Sequence, residues 1–228
     1  MSVTVTRPDP SSPPAAEVIV ARALRYRVAG VELLHEVSLA VHAGEAVLLV
    51  GRNGAGKSTL LRILSGGERP DGGEVRILGV DLLAAAHRVR RRVGYVPQEP
   101  RFDAELSVRE TLTFAARGAG TPGDEVADAV DAMLQLLDLF PLRNRLPPQL
   151  SRGERQRLAI ARALISDPAV LLLDEPLAAL DGPTQSGLLD VLDELKALGK
   201  TVVVATHTPW PFAGWADTLA LLADGQLR

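Results

Sequence analysis

Val47-Leu-Leu-Val-Gly-Arg-Asn-Gly-Ala-Gly-Lys-Ser-Thr59 holds more information than any other stretch of the chain. Four apolar residues, Val47 to Val50, form a run with no polar interruption, as in a parallel strand buried on both faces. Gly51 ends the run, and Ser58–Ser65 reads as the helix that follows. The spacing from Gly51 to Ser58 fits G-x-x-x-x-G-K-[ST], in the strand–loop–helix context that gives this pattern its meaning. Backbone N–H groups in such a loop converge on phosphate oxygens, and Gly51, Gly54 and Gly56 permit this because they lack a Cβ. The helix turns its positive end toward the same anion. Lys57 can neutralise terminal phosphates, and Ser58, with Thr59 beside it, can ligate a divalent cation. Asn53 and Ala55 complete the candidate loop.

A second apolar strand is expected at Val170-Leu-Leu-Leu-Asp-Glu-Pro176. Ligands of open α/β sheets bind at the C-terminal ends of strands. Asp174 is placed there to hold Mg²⁺ through its water shell. Glu175 is placed to orient or deprotonate an attacking water. Further strands are expected at Val18–Leu24, Val37–Val41, Arg92–Val96, Thr201–Ala205 and Thr218–Leu222. Helices are expected at Asp124–Leu139, Arg152–Ile165 and Thr184–Leu198. This alternation implies a mostly parallel sheet. The largely helical stretch from about Pro100 to Ile165 reads as an inserted subdomain.

Composition narrows the function. The chain has 228 residues, enough for one α/β domain with an insertion, and its formal charge of −3 disfavours a nucleic-acid binder. It contains no cysteine, which removes disulfides, thiolate zinc sites and iron–sulfur clusters. No apolar run approaches the roughly 18–20 residues that span a bilayer. No signal-peptide pattern is visible. A cytoplasmic protein is therefore expected, with any transport role requiring a separate membrane partner. Residues 1–16, with Pro8, Pro10, Pro13 and Pro14 among Ser and Thr, read as a flexible tail. Residues 17–228 read as the folded domain.

Leu150-Ser-Arg-Gly-Glu-Arg-Gln-Arg157, followed by Leu-Ala-Ile-Ala-Arg-Ala-Leu164, resembles the L-S-G-G-Q signature of the ABC ATPase family. The resemblance covers about residues 17–228. It implies a P-loop NTPase fold with a mostly parallel core sheet, an N-terminal antiparallel β subdomain and a helical insertion. It implies ATP and Mg²⁺ as ligands. The partners it implies are an integral membrane permease and either a second copy of the chain or a related ATPase subunit. Ser151 and Gly153 would then cap the triphosphate held by the other subunit, with the Glu154 carboxylate reaching its ribose. Gln98, in Tyr95-Val-Pro-Gln98, resembles the glutamine that senses metal and water, which adds it to Ser58 and Asp174 as a metal-site residue. Leu180-Asp181 resembles the D-loop, His207 the switch histidine, and Tyr26 the aromatic that stacks on adenine.

The chain departs from the family pattern at several points. Arg152 replaces a glycine, Glu154 a glutamine and Ala178 a frequent serine, and Thr208 follows His207 where aspartate is common. Export is the expected direction, because the short form and Asn53–Leu60 with Gly72-Gly-Glu-Val75 downstream look like exporter-type cassettes, and the Leu-Ser-Arg-Gly signature is similar to some haem-exporter subunits of cytochrome c maturation. Import and a non-transport ABC ATPase stand as alternatives, and a small-molecule kinase is disfavoured by the signature helix and Gln98.

Overall fold

The apolar runs become strands because each has two faces to bury. In the computed structural model, which describes residues 16–178 and 180–228, β1 (Glu17–Val28) and β2 (Val31–His42) form a hairpin. β3 (Ala46–Val50) follows and feeds α1 (Lys57–Leu64). Next come β4 (Gly72–Ile77), β5 (Val80–Asp81), the single turn α2 (Leu82–Ala85) and β6 (Val93–Val96). The helices α3 (Val108–Ala119), α4 (Val126–Leu136) and α5 (Arg152–Leu164) then intervene before β7 (Val170–Asp174). The chain closes through α6 (Gly182–Ala197), β8 (Thr201–Thr206), β9 (Thr218–Ala223) and β10 (Gln226–Leu227). The expected tail lies outside the described residues except for Ala16.

The central sheet runs β10-β9-β3-β8-β7-β6, parallel at every pairing except β9–β10. Its strands divide their side chains between two cores. Leu48, Leu171, Leu173, Val202 and Val204 pack toward the layer of α3, α4, α5 and α6. Val47, Leu49, Leu172, Val203 and Ala205 pack toward α1 and the second sheet. Both faces are covered, so these strands need no polar alternation.

The second sheet is antiparallel, in the order β2-β1-β4-β5. Both of its long strands exceed the expected segments. The register between β1 and β2 slips near Ala23 and again near Glu36, and both residues adopt positive φ (46° and 53°). These bulges put Arg22 and Ala23 on the exposed side in succession, which interrupts the period-two pattern. β4 starts at Gly72-Gly73 against the first bulge. A Cβ on Gly73 would lie 2.5 Å from the carbonyl oxygens of Arg22 and Ala23, so only glycine fits.

The insertion holds the helices α3, α4 and α5, of which α3 and α5 open on capping boxes. α3 opens on a capping box, with the Ser107 hydroxyl accepting from Glu110 N–H and the Glu110 carboxylate accepting from Ser107 N–H. α3 ends at Gly120 in the left-handed conformation, φ 86°. Within α4, Val126, Val130 and Leu134 carry the buried face.

Candidate functional site

The C-terminal ends of β3, β6, β7 and β8 face one edge of the central sheet, because these strands pair in parallel and in register. Val50 pairs with Thr206, Leu173 with Val204, and Asp174 with Ala205. The phosphate loop, the two carboxylates and His207 therefore leave the sheet side by side.

The loop has the shape that the glycines imply. Gly54 and Gly56 have φ of 82° and 101°. A Cβ on Gly51 would lie 2.3 Å from the Leu222 carbonyl oxygen, and one on Gly56 2.8 Å from Leu34 Cδ2. Gly56 caps α1, and its carbonyl accepts the Leu60 N–H at 2.8 Å. Arg52, Asn53 and Gly54 are exposed, so the cradle opens outward. Ala55 and Thr59 are buried beneath it, with Ser58 half-buried.

Lys57 is buried, and its Nζ donates to the carbonyl oxygens of Gly51 (2.8 Å) and Arg52 (3.3 Å). Glu175 Oε1 is 3.5 Å from that Nζ. The same oxygen accepts from the His207 backbone N–H (2.9 Å) and His207 Nδ1 (2.8 Å). Oε2 accepts from the Thr206 hydroxyl (2.9 Å). Glu175 has φ 50°, and its N–H is fixed on the Ala205 carbonyl at 2.8 Å. The structure thus joins Lys57, Glu175 and His207, which the sequence singles out, with Thr206, which it does not. The missed signal was a hydroxyl residue directly before His207, at the end of a central strand.

Asp174 is 2 % exposed and its Oδ1 has no hydrogen-bond partner. Burial holds its carboxyl above the usual range, with the Ser58 hydroxyl pulling the other way and Glu175 adding to the rise. A buried carboxylate oxygen left over beside a hydroxyl fits a divalent cation, which would satisfy the unpaired atom. Gln98 is exposed two residues beyond β6, the neighbour of β7. A cavity of about 320 Å³ opens over this edge, lined by Glu175, Ala178, Gln185, His207 and Pro211 among others.

The remaining candidates stand apart from this cluster. Ser151 caps α5, and its hydroxyl accepts from Glu154 N–H at 3.2 Å, leaving the hydroxyl proton free to donate. Glu154 turns back and accepts from Ser151 N–H at 2.7 Å, so reaching a ribose would cost it this bond. Ser151 and Arg152 are exposed and Gly153 half-buried, the latter resting against Leu180 beside Asp181. Asp181 caps α6 by accepting from Thr184 N–H at 3.0 Å, and the Thr184 side chain together with that N–H holds its carboxyl below the ordinary range. Tyr26 pairs across the hairpin with Leu34, the side chain that abuts Gly56, and its hydroxyl donates to Glu68 at 3.1 Å.

A family profile described as ABC transporter matches residues 34–178, which includes the loop, Gln98, the signature and the acidic pair. The methionine import ATP-binding protein MetN 2 of Burkholderia mallei is 40% identical over 199 residues, covering 85% of this chain and 50% of that protein. The methionine import ATP-binding protein MetN of Brucella abortus is 36% identical over 229 residues, covering 98% of this chain and 61% of that protein. The chain thus spans about half to three-fifths of the curated relatives it matches. Among solved structures, a dimeric ATP-binding cassette in a post-hydrolysis state with ADP and Pi superposes with a TM-score of 0.85 at 30% identity, covering 92% of this chain and 96% of that one. An ATP-binding subunit of an ABC transporter gives the same TM-score at 28% identity, covering 92% of this chain and 88% of that one. Motif order, sheet topology, site geometry and these matches agree: the chain belongs to the ABC transporter family.

Proposed function

We propose that this chain binds ATP with Mg²⁺ and hydrolyses it, driving import through a separate membrane permease. The observation that carries the proposal is the buried junction of Lys57, Glu175, Thr206 and His207 beneath an open glycine cradle. A buried carboxylate held by four donor groups next to a phosphate loop is costly, and it serves a base that must be aimed.

In the proposed mechanism the amides of residues 51–59 bind the β- and γ-phosphates, and Lys57 leaves the Gly51 and Arg52 carbonyls to reach them. Tyr26 stacks on adenine. Ser58 and Asp174 would hold the cation, with Gln98 as a further candidate, and the ion would supply positive charge to the phosphates. Glu175 then takes a proton from the attacking water. The half-exposed His207 ring turns from Glu175 onto the γ-phosphate, while its backbone N–H stays on the carboxylate. The γ-phosphate remains open to solvent in one chain. Ser151 and Gly153 of a second cassette, with Asp181 alongside, cover it, so ATP favours the closed pair through differential binding. The likeness to a dimeric cassette supports this pairing.

Among the described residues no helix is long and apolar enough to cross a membrane. The proposed location is the cytoplasmic face of the membrane, docked on the permease. The expectation of export, and of a haem exporter in particular, is set aside. It rested on Arg152 and on residues that import cassettes share, whereas relatives named for methionine import match 85% or more of the chain. Two assays test the proposal. Purified wild-type chain hydrolyses ATP, and Lys57→Ala lowers turnover at least about 100-fold. In vesicles carrying the co-purified permease, substrate moves toward the side that holds the cassette and ATP. Movement away from that side overturns import.

A further inference from the structure

We infer that Thr206 is a positioning residue for Glu175, its hydroxyl holding the carboxylate that activates water. The inference rests on the ATPase reading above. Thr206 is the last residue of β8, pairs with Val50 in β3, and is 3 % exposed. Its carbonyl oxygen accepts the Gly51 N–H at 3.4 Å, which ties it to the first residue of the phosphate loop.

The hydroxyl has one proton and two acceptors in reach. Glu175 Oε2 is at 2.9 Å and the Thr208 carbonyl at 3.4 Å, so the proton goes to the carboxylate. Thr208 N–H donates into the same hydroxyl oxygen at 3.0 Å and fixes its orientation. Glu175 is anchored at its backbone by Ala205. Its side chain is then aimed by two consecutive residues, Thr206 on Oε2 and His207 on Oε1. The His207 side chain is 45% exposed and can swing onto a phosphate, and Lys57 leaves when nucleotide arrives. Thr206 does not leave. It is the buried side-chain donor that stays on the carboxylate while the other two change partners. A base displaced by a fraction of an ångström loses much of its effect, so this bond acts on turnover more than on binding.

The test compares Thr206→Val and Thr206→Ala, which remove the donor, with Thr206→Ser, which keeps it. The expected result is a kcat lowered about ten-fold in Thr206→Val and Thr206→Ala, with the KM for ATP within about two-fold of wild type, and a kcat restored to within about two-fold in Thr206→Ser. Unchanged kcat in the valine and alanine variants overturns the inference. So does a serine variant as slow as the valine one, or a KM that rises in step with the fall in kcat. A wild-type chain that turns over no ATP removes the ATPase reading itself, a result distinct from all of these.

Discussion

Replacing Lys57 with alanine should destabilise the protein even without nucleotide. Lys57 and Glu175 are 6 % and 5 % exposed and their charged atoms are 3.5 Å apart. At an effective dielectric of about 20, two unit charges at that separation attract by about 5 kcal/mol. Glu175 keeps its bonds from Thr206 and His207, which offset part of the loss. Removing one partner of a buried pair typically costs about 3–5 kcal/mol, so about 3 kcal/mol is expected here. In a chain of this length that lowers the melting temperature by about 6–12 °C. Glu175→Gln neutralises the stranded carboxylate. In that background Lys57→Ala loses only its bonds to the Gly51 and Arg52 carbonyls, about 1 kcal/mol. Urea unfolding of the wild type, both single variants and the double variant closes the cycle. The expected coupling is about 2 kcal/mol. Single effects that add to within about 0.5 kcal/mol would show that the two charges do not meet in the nucleotide-free protein.

Gly56→Ala forces a Cβ onto φ 101° and against Leu34 and the Leu33 carbonyl, so stability should fall by about 2–4 kcal/mol, with ATP affinity reduced at least about ten-fold in a fluorescent-nucleotide titration. Ser107→Ala removes one half of the α3 capping box and should lower the melting temperature by about 2–4 °C while leaving ATP affinity unchanged. Glu110 and Asp181 are held below their ordinary ranges by Ser107 and by Thr184. Their contributions are present above the ordinary carboxylate values and disappear as pH falls through the lowered ones, so urea midpoints should decline below about pH 4.5, less steeply in Ser107→Ala.

The phosphate loop and the acidic strand were legible because their burial permits few substitutes. Val47–Val50 and Val170–Leu173 are buried on both faces, and an apolar run of that length next to Gly51 or Asp174 has few other uses. β4 is absent from the expected strands, since Gly72 and Gly73 bring no side chains to a strand pattern and pair only against the β1 bulge. The end of β1 and the start of β2 were hidden by the bulges at Ala23 and Glu36. The start of α3 was overlooked although Ser107 and Glu110 have capping-box spacing. In the site, single residues were identified by type, but their connections were not. No spacing rule reveals that Glu175 is shared by Lys57, Thr206 and His207, because those contacts join the start of α1, the residue after β7 and the end of β8, which are distant in sequence. The Glu154 carboxylate shows the reverse: its bond is local, and it stays with Ser151.

A structure of the Glu175→Gln variant with ATP and Mg²⁺ bears most directly on how the nucleotide is held. The triphosphate should lie in the residue 51–59 cradle of one chain, with Lys57 turned from its backbone carbonyls onto the phosphates and Ser151 and Gly153 of a second chain within hydrogen-bond reach of the γ-phosphate. A bound triphosphate with residues 150–154 of every chain remote from it would contradict the shared site and leave an ordinary single-chain nucleotidase.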